Sequence, residues 1–225
     1  MSTKLIAIRH GFSVANKLEV FTGQSDIELT DVGYEQARLC GEFFDFSRSD
    51  GDNVKKYGIS SIDAIYASDL CRTRDTAMPI SEMLNIEAQM CEGLREIYAG
   101  DWEMMPFKEI DRIYAEEYSV WKNDIGRASC SGGESVMELF SRVRDTVRDI
   151  AEKHDGGAVV IVTHATPIRV LCTLSRGISP LDMGRVPWVS NASINIFEFD
   201  GEWHEIETNI TSHLGSLKTD LPRGV

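Results

Sequence analysis

The chain contains no apolar run near the roughly 20 residues that a membrane-spanning helix needs, and no apolar leader precedes its first strand-like segment. It is short of positive charge. Its 23 Lys and Arg face 36 Asp and Glu, a formal net charge of −13. Nucleic-acid-binding domains are normally basic, so this balance argues against one, although local arginines can still make a positive pocket in an acidic protein. Cysteine is sparse: Cys40, Cys71, Cys91, Cys130 and Cys172 are odd in number and lack C-x-x-C spacing. That argues against a disulfide scaffold or zinc site and fits reduced thiols in the cytoplasm. There is no H-x-x-x-H pair to suggest a metal and no G-x-x-x-x-G-K-[ST] to suggest a P-loop. No internal period of about 20–50 residues suggests a solenoid. The expected protein is cytoplasmic, with neither nucleic acid nor membrane as a partner.

What is present suits one large α/β domain: 225 residues, 42% of them hydrophobic. Leu5-Ile6-Ala7-Ile8 reads as a buried strand, and Arg9-His10-Gly11 follows it directly. Val159-Val160-Ile161-Val162-Thr163-His164 repeats that grammar. Between them, Ile62–Ser68 leads into Asp69-Leu70-Cys71-Arg72. Open α/β sheets place ligand crevices at the carboxyl ends of their strands. If these strands are parallel neighbours, His10, His164, Arg9 and Arg72 share one pocket. Taken alone, R-H-G is equally a strand-end turn with two solvated side chains, and Cys71 is either reactive or an inert small residue.

The remaining pattern predicts strands at 4–8, 64–67, 87–90 and 158–162, and a hairpin over 194–206. Thr30 is a candidate N-cap for a helix to about 46. A helix over 72–84 holds Pro79, which should kink or shorten it. Residues 107–122 look helical, and Tyr114, Tyr118 and Trp121 either line an entrance or pack in the core. Ser135 with Glu138 forms a capping box opening a helix. Residues 47–56 read as a surface loop, and the segment after Thr211 as poorly ordered or draped over the surface. His154 suits the negative end of a helix as a partly charged group, and His204 and His213 suit the surface.

These motifs resemble the histidine phosphatase superfamily, which includes cofactor-dependent phosphoglycerate mutases and many small-molecule phosphatases. The resemblance runs through Ile8-Arg9-His10-Gly11, Asn16, Gly23-Gln24, Leu29–Gly33, Gln36-Ala37 and Ala67–Thr73. It continues in Leu94-Arg95-Glu96 with Gly100, Trp102-Glu103, Gly132–Ser135 and Val162-Thr163-His164. It implies a three-layer α/β/α fold with a mostly parallel central sheet and an antiparallel edge strand. The whole chain, 1–225, would be one domain, with a cap insertion at about 97–134.

The resemblance also implies roles. His10 becomes the nucleophile that takes the phosphoryl group, its second ring nitrogen held by a backbone carbonyl. Arg9 and Arg72 clamp the phosphoryl oxygens, and His164 donates to them. Glu96, which in isolation reads as a surface carboxylate, takes the place of the family's acid and base, with Glu103 as runner-up. Asn16, Thr22, Gly23, Gln24 and the Ala165 N–H join the phosphate-binding set, and Ser13 is a further candidate contact. No metal or other cofactor is implied.

The expected activity is a metal-independent phosphomonoesterase acting on a small phosphorylated metabolite through a phosphohistidine. A phosphoglycerate mutase using 2,3-bisphosphoglycerate is the alternative, which the chain length and the lack of a long insertion at 126–133 disfavour. A non-catalytic phospholigand-binding protein is the other class. Two residues depart from the family pattern: Phe12 replaces a frequent Glu or Gln, and Ala165 a frequent Gly. Specificity is expected in the rim formed by Phe12, 101–118 and 126–133. A homo-oligomer stays open.

Overall fold

A computed structural model describes residues 1–47 and 53–219. Its elements follow the chain as β1 (Thr3–Arg9), α1 (Val14–Leu18), β2 (Val20–Phe21), α2 (Asp31–Phe43), β3 (Ala64–Ala67), α3 (Cys71–Leu84) and β4 (Ala88–Met90). Then come β5 (Met105–Pro106), α4 (Phe107–Ile113), α5 (Ala115–Asn123), α6 (Val136–Lys153), β6 (Ala158–Thr163), α7 (Ala165–Ser175), β7 (Ile194–Phe199) and β8 (Trp203–Ile210).

Six strands form one sheet in the order β4-β3-β6-β1-β7-β8. The first four are parallel, and β7 and β8 continue the sheet as antiparallel strands. The apolar runs at its centre are explained by burial on both faces. In β1, Leu5 and Ala7 enter one core while Ile6 and Ile8 enter the other. The first core is closed by α6 and α7, through Leu139, Val143, Ile168 and Leu171. The second is closed by α2 and α3, through Cys40, Phe43, Ala77 and Ile80. The result is the expected three-layer α/β/α arrangement.

Local chemistry sets the helix starts. Thr30 Oγ1 accepts the Gly33 N–H at 3.1 Å. Ser135 Oγ accepts the Glu138 N–H at 3.2 Å while the Glu138 carboxylate accepts the Ser135 N–H at 2.8 Å, the reciprocal capping box.

Four local expectations need correction. Of the two effects expected of Pro79, a kink or a shortening, the shortening does not occur, since α3 runs on to Leu84. One missing hydrogen bond is outweighed because Ala77 and Ile80 lie on either side of it in the core. The segment 107–122 is two helices, since Tyr114 leaves helical geometry (φ −116°, ψ 44°) as its ring packs near Trp102. Of the polar segment 47–56, residues 48–52 lie outside the described residues. Asn53 caps a short 3-10 turn that fully buries Val54. Beyond Thr211, residues 212–217 are ordered against α2. Leu214 enters the core, and the Gln36 amide donates to the Leu217 carbonyl at 2.8 Å.

Candidate active site

The register of the parallel strands brings their carboxyl ends level, pairing Arg9 with Thr163 and Ala67 with Val162. The next residues therefore emerge side by side. The His10 N–H donates to the Thr163 carbonyl at 3.0 Å, and the Ser68 N–H to the Val162 carbonyl at 2.9 Å. Arg72 arrives from the first turn of α3. Arg9, His10, Arg72 and Glu96 line one cavity, and His164 lies fully buried beside it, its ring edge-on to His10 at 5.2 Å.

The hydrogen bond from His10 decides its tautomer. Its Nδ1 is 2.8 Å from the Gly11 carbonyl oxygen, which can only accept, so Nδ1 carries the proton. Nε2 is left with its lone pair. Burial, then Arg72 and Arg9, holds the ring pKa well below its ordinary 6.5, so the imidazole is neutral and nucleophilic. His164 is held neutral in the same way, by burial first and then by Arg72. Its Nε2 meets the Ser68 hydroxyl at 2.9 Å, and its buried Nδ1 has no partner.

The two arginines form the strongest electrostatic feature. Arg9 is 5% exposed and Arg72 is 1% exposed. Among the described residues neither makes an ion pair with a carboxylate. Arg9 Nη1 donates to the Val189 carbonyl at 2.6 Å, and Arg72 Nη1 and Nη2 donate to the Ser25 and Gly23 carbonyls at 2.8 Å each. The Nε of each is buried without a partner. Burial, opposed in part by Glu96, draws the Arg9 pKa down to about 10, and Arg72 is also lowered, first by burial. Two desolvated guanidiniums side by side make an anion site, because a bound oxyanion satisfies both forks and cancels their repulsion.

Glu96 stands opposite them. Its carboxylate accepts the Ile97 N–H at 2.8 Å and the Thr166 N–H, in the first turn of α7, at 3.2 Å. Its backbone carbonyl is held by Gln24 Nε2 at 3.1 Å and Arg142 Nη2 at 3.3 Å. Arg142 in turn pairs with Glu134 at 2.9 Å. Glu103 does not line the cavity. Its carboxylate accepts the N–H groups of Gln24 (2.8 Å), Ser25 (2.8 Å) and Ala99 (3.0 Å), so it ties the loop after β2 to the segment after Glu96.

The remaining expected residues divide between cavity and support. Asn16, Thr22, Gly23 and Ala165 line the cavity. Asn16 Oδ1 is taken by the Ser13 N–H at 3.1 Å and Asn191 Nδ2 at 3.0 Å, which leaves its NH2 to face a ligand. Gly23 has φ +52°, and a Cβ there would fall 2.0 Å from Glu103 Oε1, so the backbone approaches the site only because no side chain is present. Gln24 is a support rather than a lining residue, as its bonds to Glu103 and Glu96 show. Ser13 is fully buried as the N-cap of α1.

Comparison with known proteins accords with this geometry. The family profile of the histidine phosphatase superfamily (branch 1) matches residues 5–210. The chain belongs to that family. Phosphoserine phosphatase 1 of Hydrogenobacter thermophilus is 28% identical over 226 residues, covering 99% of each chain. A metal-independent phosphoserine phosphatase of Arabidopsis thaliana is 29% identical, over 96% of this chain and 84% of its own length. The solved structure of Bacillus stearothermophilus YhfR superposes with a TM-score of 0.82 at 26% identity, covering 94% of this chain and 99% of that one. The family match and these relatives make the protein a phosphoric monoester hydrolase.

Within this histidine phosphatase, the rim differs from the sequence-based expectation. Neither Phe12 nor residues 126–133 line the cavity. The Phe12 backbone instead joins α2, donating to Gln36 Oε1 at 2.8 Å and accepting from Thr30 Oγ1 at 2.8 Å. Gly126 packs on the backbone of Leu181 and Gly133 on that of Tyr98. Trp121 is both core and lining: it meets Phe21 edge-on at 5.0 Å and also faces the cavity. Phe107, inside the expected 101–118 rim, does line the cavity, and Val20, Phe21, Thr166 and Trp188, which belong to no motif in the sequence, complete the lining. Trp188 had no sequence signal, since it follows the 3-10 turn Pro180–Arg185 far from any motif. Ser68 lies within the Ala67–Thr73 motif, and its place at a strand end gives it no separate signal in the sequence.

Away from the site, two histidine expectations change. His154 is half-buried against Tyr66 and its pKa is lowered, chiefly by burial, so the helix end does not keep it charged. His213 is half-buried, its ring tilted against Phe43 at 5.7 Å, with Nε2 3.1 Å from the Ala192 carbonyl. His204 is exposed beside Asp200. Burial, then Asp26, pushes the Cys71 thiol up to about 12, which makes it inert.

Proposed function

We propose that the protein is a metal-independent phosphomonoesterase that hydrolyses a small phosphorylated metabolite through a phosphohistidine. The observation that carries this reading is the pair of buried guanidiniums without carboxylate partners, flanking a neutral histidine whose Nδ1 proton is held by Gly11. His10 Nε2 attacks phosphorus and forms the N–P bond as the ester P–O bond breaks. Arg9 and Arg72 neutralise the equatorial oxygens throughout, a role that arginine's planar fork suits. His164, with Ser68 donating to its Nε2, presents Nδ1–H to the same oxygens as charge grows.

Glu96 gives its proton to the leaving alkoxide. The resulting carboxylate then takes a proton from water, whose oxygen attacks the phosphohistidine and releases phosphate and neutral His10. Asn16 and the backbone at Thr22, Gly23 and Ala165 complete the anion site. No step requires a metal, because two arginines supply the charge and neutral His164 a hydrogen bond; the relative named as metal-independent supports this. The segment 97–134, which contributes Phe107 and Trp121 to the wall, acts as the cap. The five free cysteines and the acidic surface fit a cytoplasmic enzyme.

The test is phosphate release from a panel of phosphomonoesters in excess chelator, with His10→Ala alongside. Wild type is expected to release phosphate, and the variant, still folded, to release none. Turnover by His10→Ala at the wild-type rate overturns the phosphohistidine route.

A further inference from the structure

The cavity has two chemically distinct ends. At its floor are the guanidiniums, His10 and Glu96. Its outer wall is apolar: Val20, Phe21, Phe107, Trp121 and Trp188. The rings form one continuous surface. Phe21 meets Phe107 at 6.1 Å and Trp121 at 5.0 Å, and Trp121 lies 6.3 Å from Trp188. Trp188 is held in place from behind. The guanidinium of buried Arg169 lies 4.0 Å from its ring centroid, and Arg169 is itself fixed by the Met183 and Val186 carbonyls at 2.9 and 2.8 Å. Phe107 and Trp188 are only half-buried, so their faces are open to an occupant.

The wall lacks the complement of a carboxylate. Among the described residues, the only arginines lining the cavity are Arg9 and Arg72, and no lysine lines it. The phosphoryl group occupies both arginines. A carboxylate next to the ester, as in phosphoserine or 3-phosphoglycerate, would meet aromatic rings and at best the neutral side chains of Asn16, Thr22 and Thr166, with no further cation among the described lining residues to offset its desolvation. An ammonium alone can rest on a ring face, but the carboxylate cannot.

We infer that the substrate of this site is a phosphomonoester whose leaving group is apolar or aromatic and carries no carboxylate, seated on the Phe107–Trp188 wall. The inference rests on the phosphatase reading above and narrows its substrate class. It sets the chain apart from relatives named for phosphoserine, and it weighs against phosphoglycerate mutase chemistry.

The test compares kcat/KM for four alkyl esters of similar leaving-group reactivity: 2-phenylethyl phosphate, ethyl phosphate, phosphoserine and 3-phosphoglycerate. The phenylethyl ester is expected to exceed both carboxylate esters by at least about 10-fold, the lower end of what one apolar contact in a pocket provides. In Trp188→Ala and Phe107→Ala, the ratio of phenylethyl to ethyl phosphate is expected to fall by about 10-fold. Trp188→Leu serves if the alanine variant does not fold, and the wild-type ranking needs no variant. Equal or better turnover of phosphoserine or 3-phosphoglycerate overturns the inference and leaves the phosphatase reading intact. An unchanged ratio in folded variants also overturns it. Release from none of the four overturns both.

Discussion

Replacing Arg9 by Met should stabilise the empty protein while abolishing its activity. Arg9 is 5% exposed, and burial, helped by Arg72 and opposed by Glu96, lowers its pKa from 12.5 to about 10. At about 1.4 kcal/mol per pH unit, holding that charge in the unliganded fold costs up to about 3 kcal/mol. Methionine keeps an unbranched side chain and removes the charge. It also leaves the Val189 carbonyl, now bonded at 2.6 Å, without its donor, which costs about 1–2 kcal/mol. The net gain is about 1–2 kcal/mol, a rise in Tm of roughly 2–8 °C for a domain of this size. The assay is calorimetry near neutral pH in phosphate-free buffer, repeated with added inorganic phosphate. Phosphate should raise the wild-type Tm, because the anion restores what burial withheld from the guanidiniums, and should leave Arg9→Met unmoved. A variant that melts below wild type and still gains the full increment from phosphate would refute the view that the site stores unfavourable charge for an oxyanion.

Glu96→Gln should keep phosphate affinity but slow turnover by about 100- to 10,000-fold, the span of general acid–base assistance. With p-nitrophenyl phosphate, whose leaving group needs no proton, it should give a burst of one nitrophenol per site before the slow phase; steady release without a burst places the base elsewhere. Stability should fall on mild acidification. His10 and His164 have folded pKa values well below 6.5, so their contribution is complete above about pH 6.5 and is lost as pH drops from there toward the depressed folded values. The unfolded chain takes up protons that the fold refuses, with a slope of up to about 1.4 kcal/mol per pH unit for each ring. Asp26 and Asp69, whose pKa values are lowered from 3.8, affect stability only at more acidic pH. Urea melts that are flat between about pH 7 and pH 5 would show that the rings take up protons in the fold as readily as in the unfolded chain.

The strand-end grammar was legible because a parallel strand buried on both faces must be apolar throughout, and because residues just past such strands converge whatever the loops do. His10, His164, Arg9 and Arg72 followed from that rule, and the Ser135 capping box and the Thr30 cap from local hydrogen-bonding chemistry. Glu96 needed the family pattern, since nothing around Leu94-Arg95-Glu96 marks a carboxylate as poised. The family pattern ranked Glu96 above Glu103, and the tertiary structure supplies the physical reason: the fold puts one against α7 and the other beneath the Gly23 turn. Tertiary structure alone seated Trp188 on the wall, because that placement depends on Arg169, 19 positions earlier in the sequence, stacking behind its ring. Sequence by itself determined which groups stand at the strand ends, since an unbroken apolar run and a turn suffice to place them. Which distant side chains support those groups, and what chemical character the wall above them has, depends on contacts between residues remote in the chain, and only the folded protein decided it.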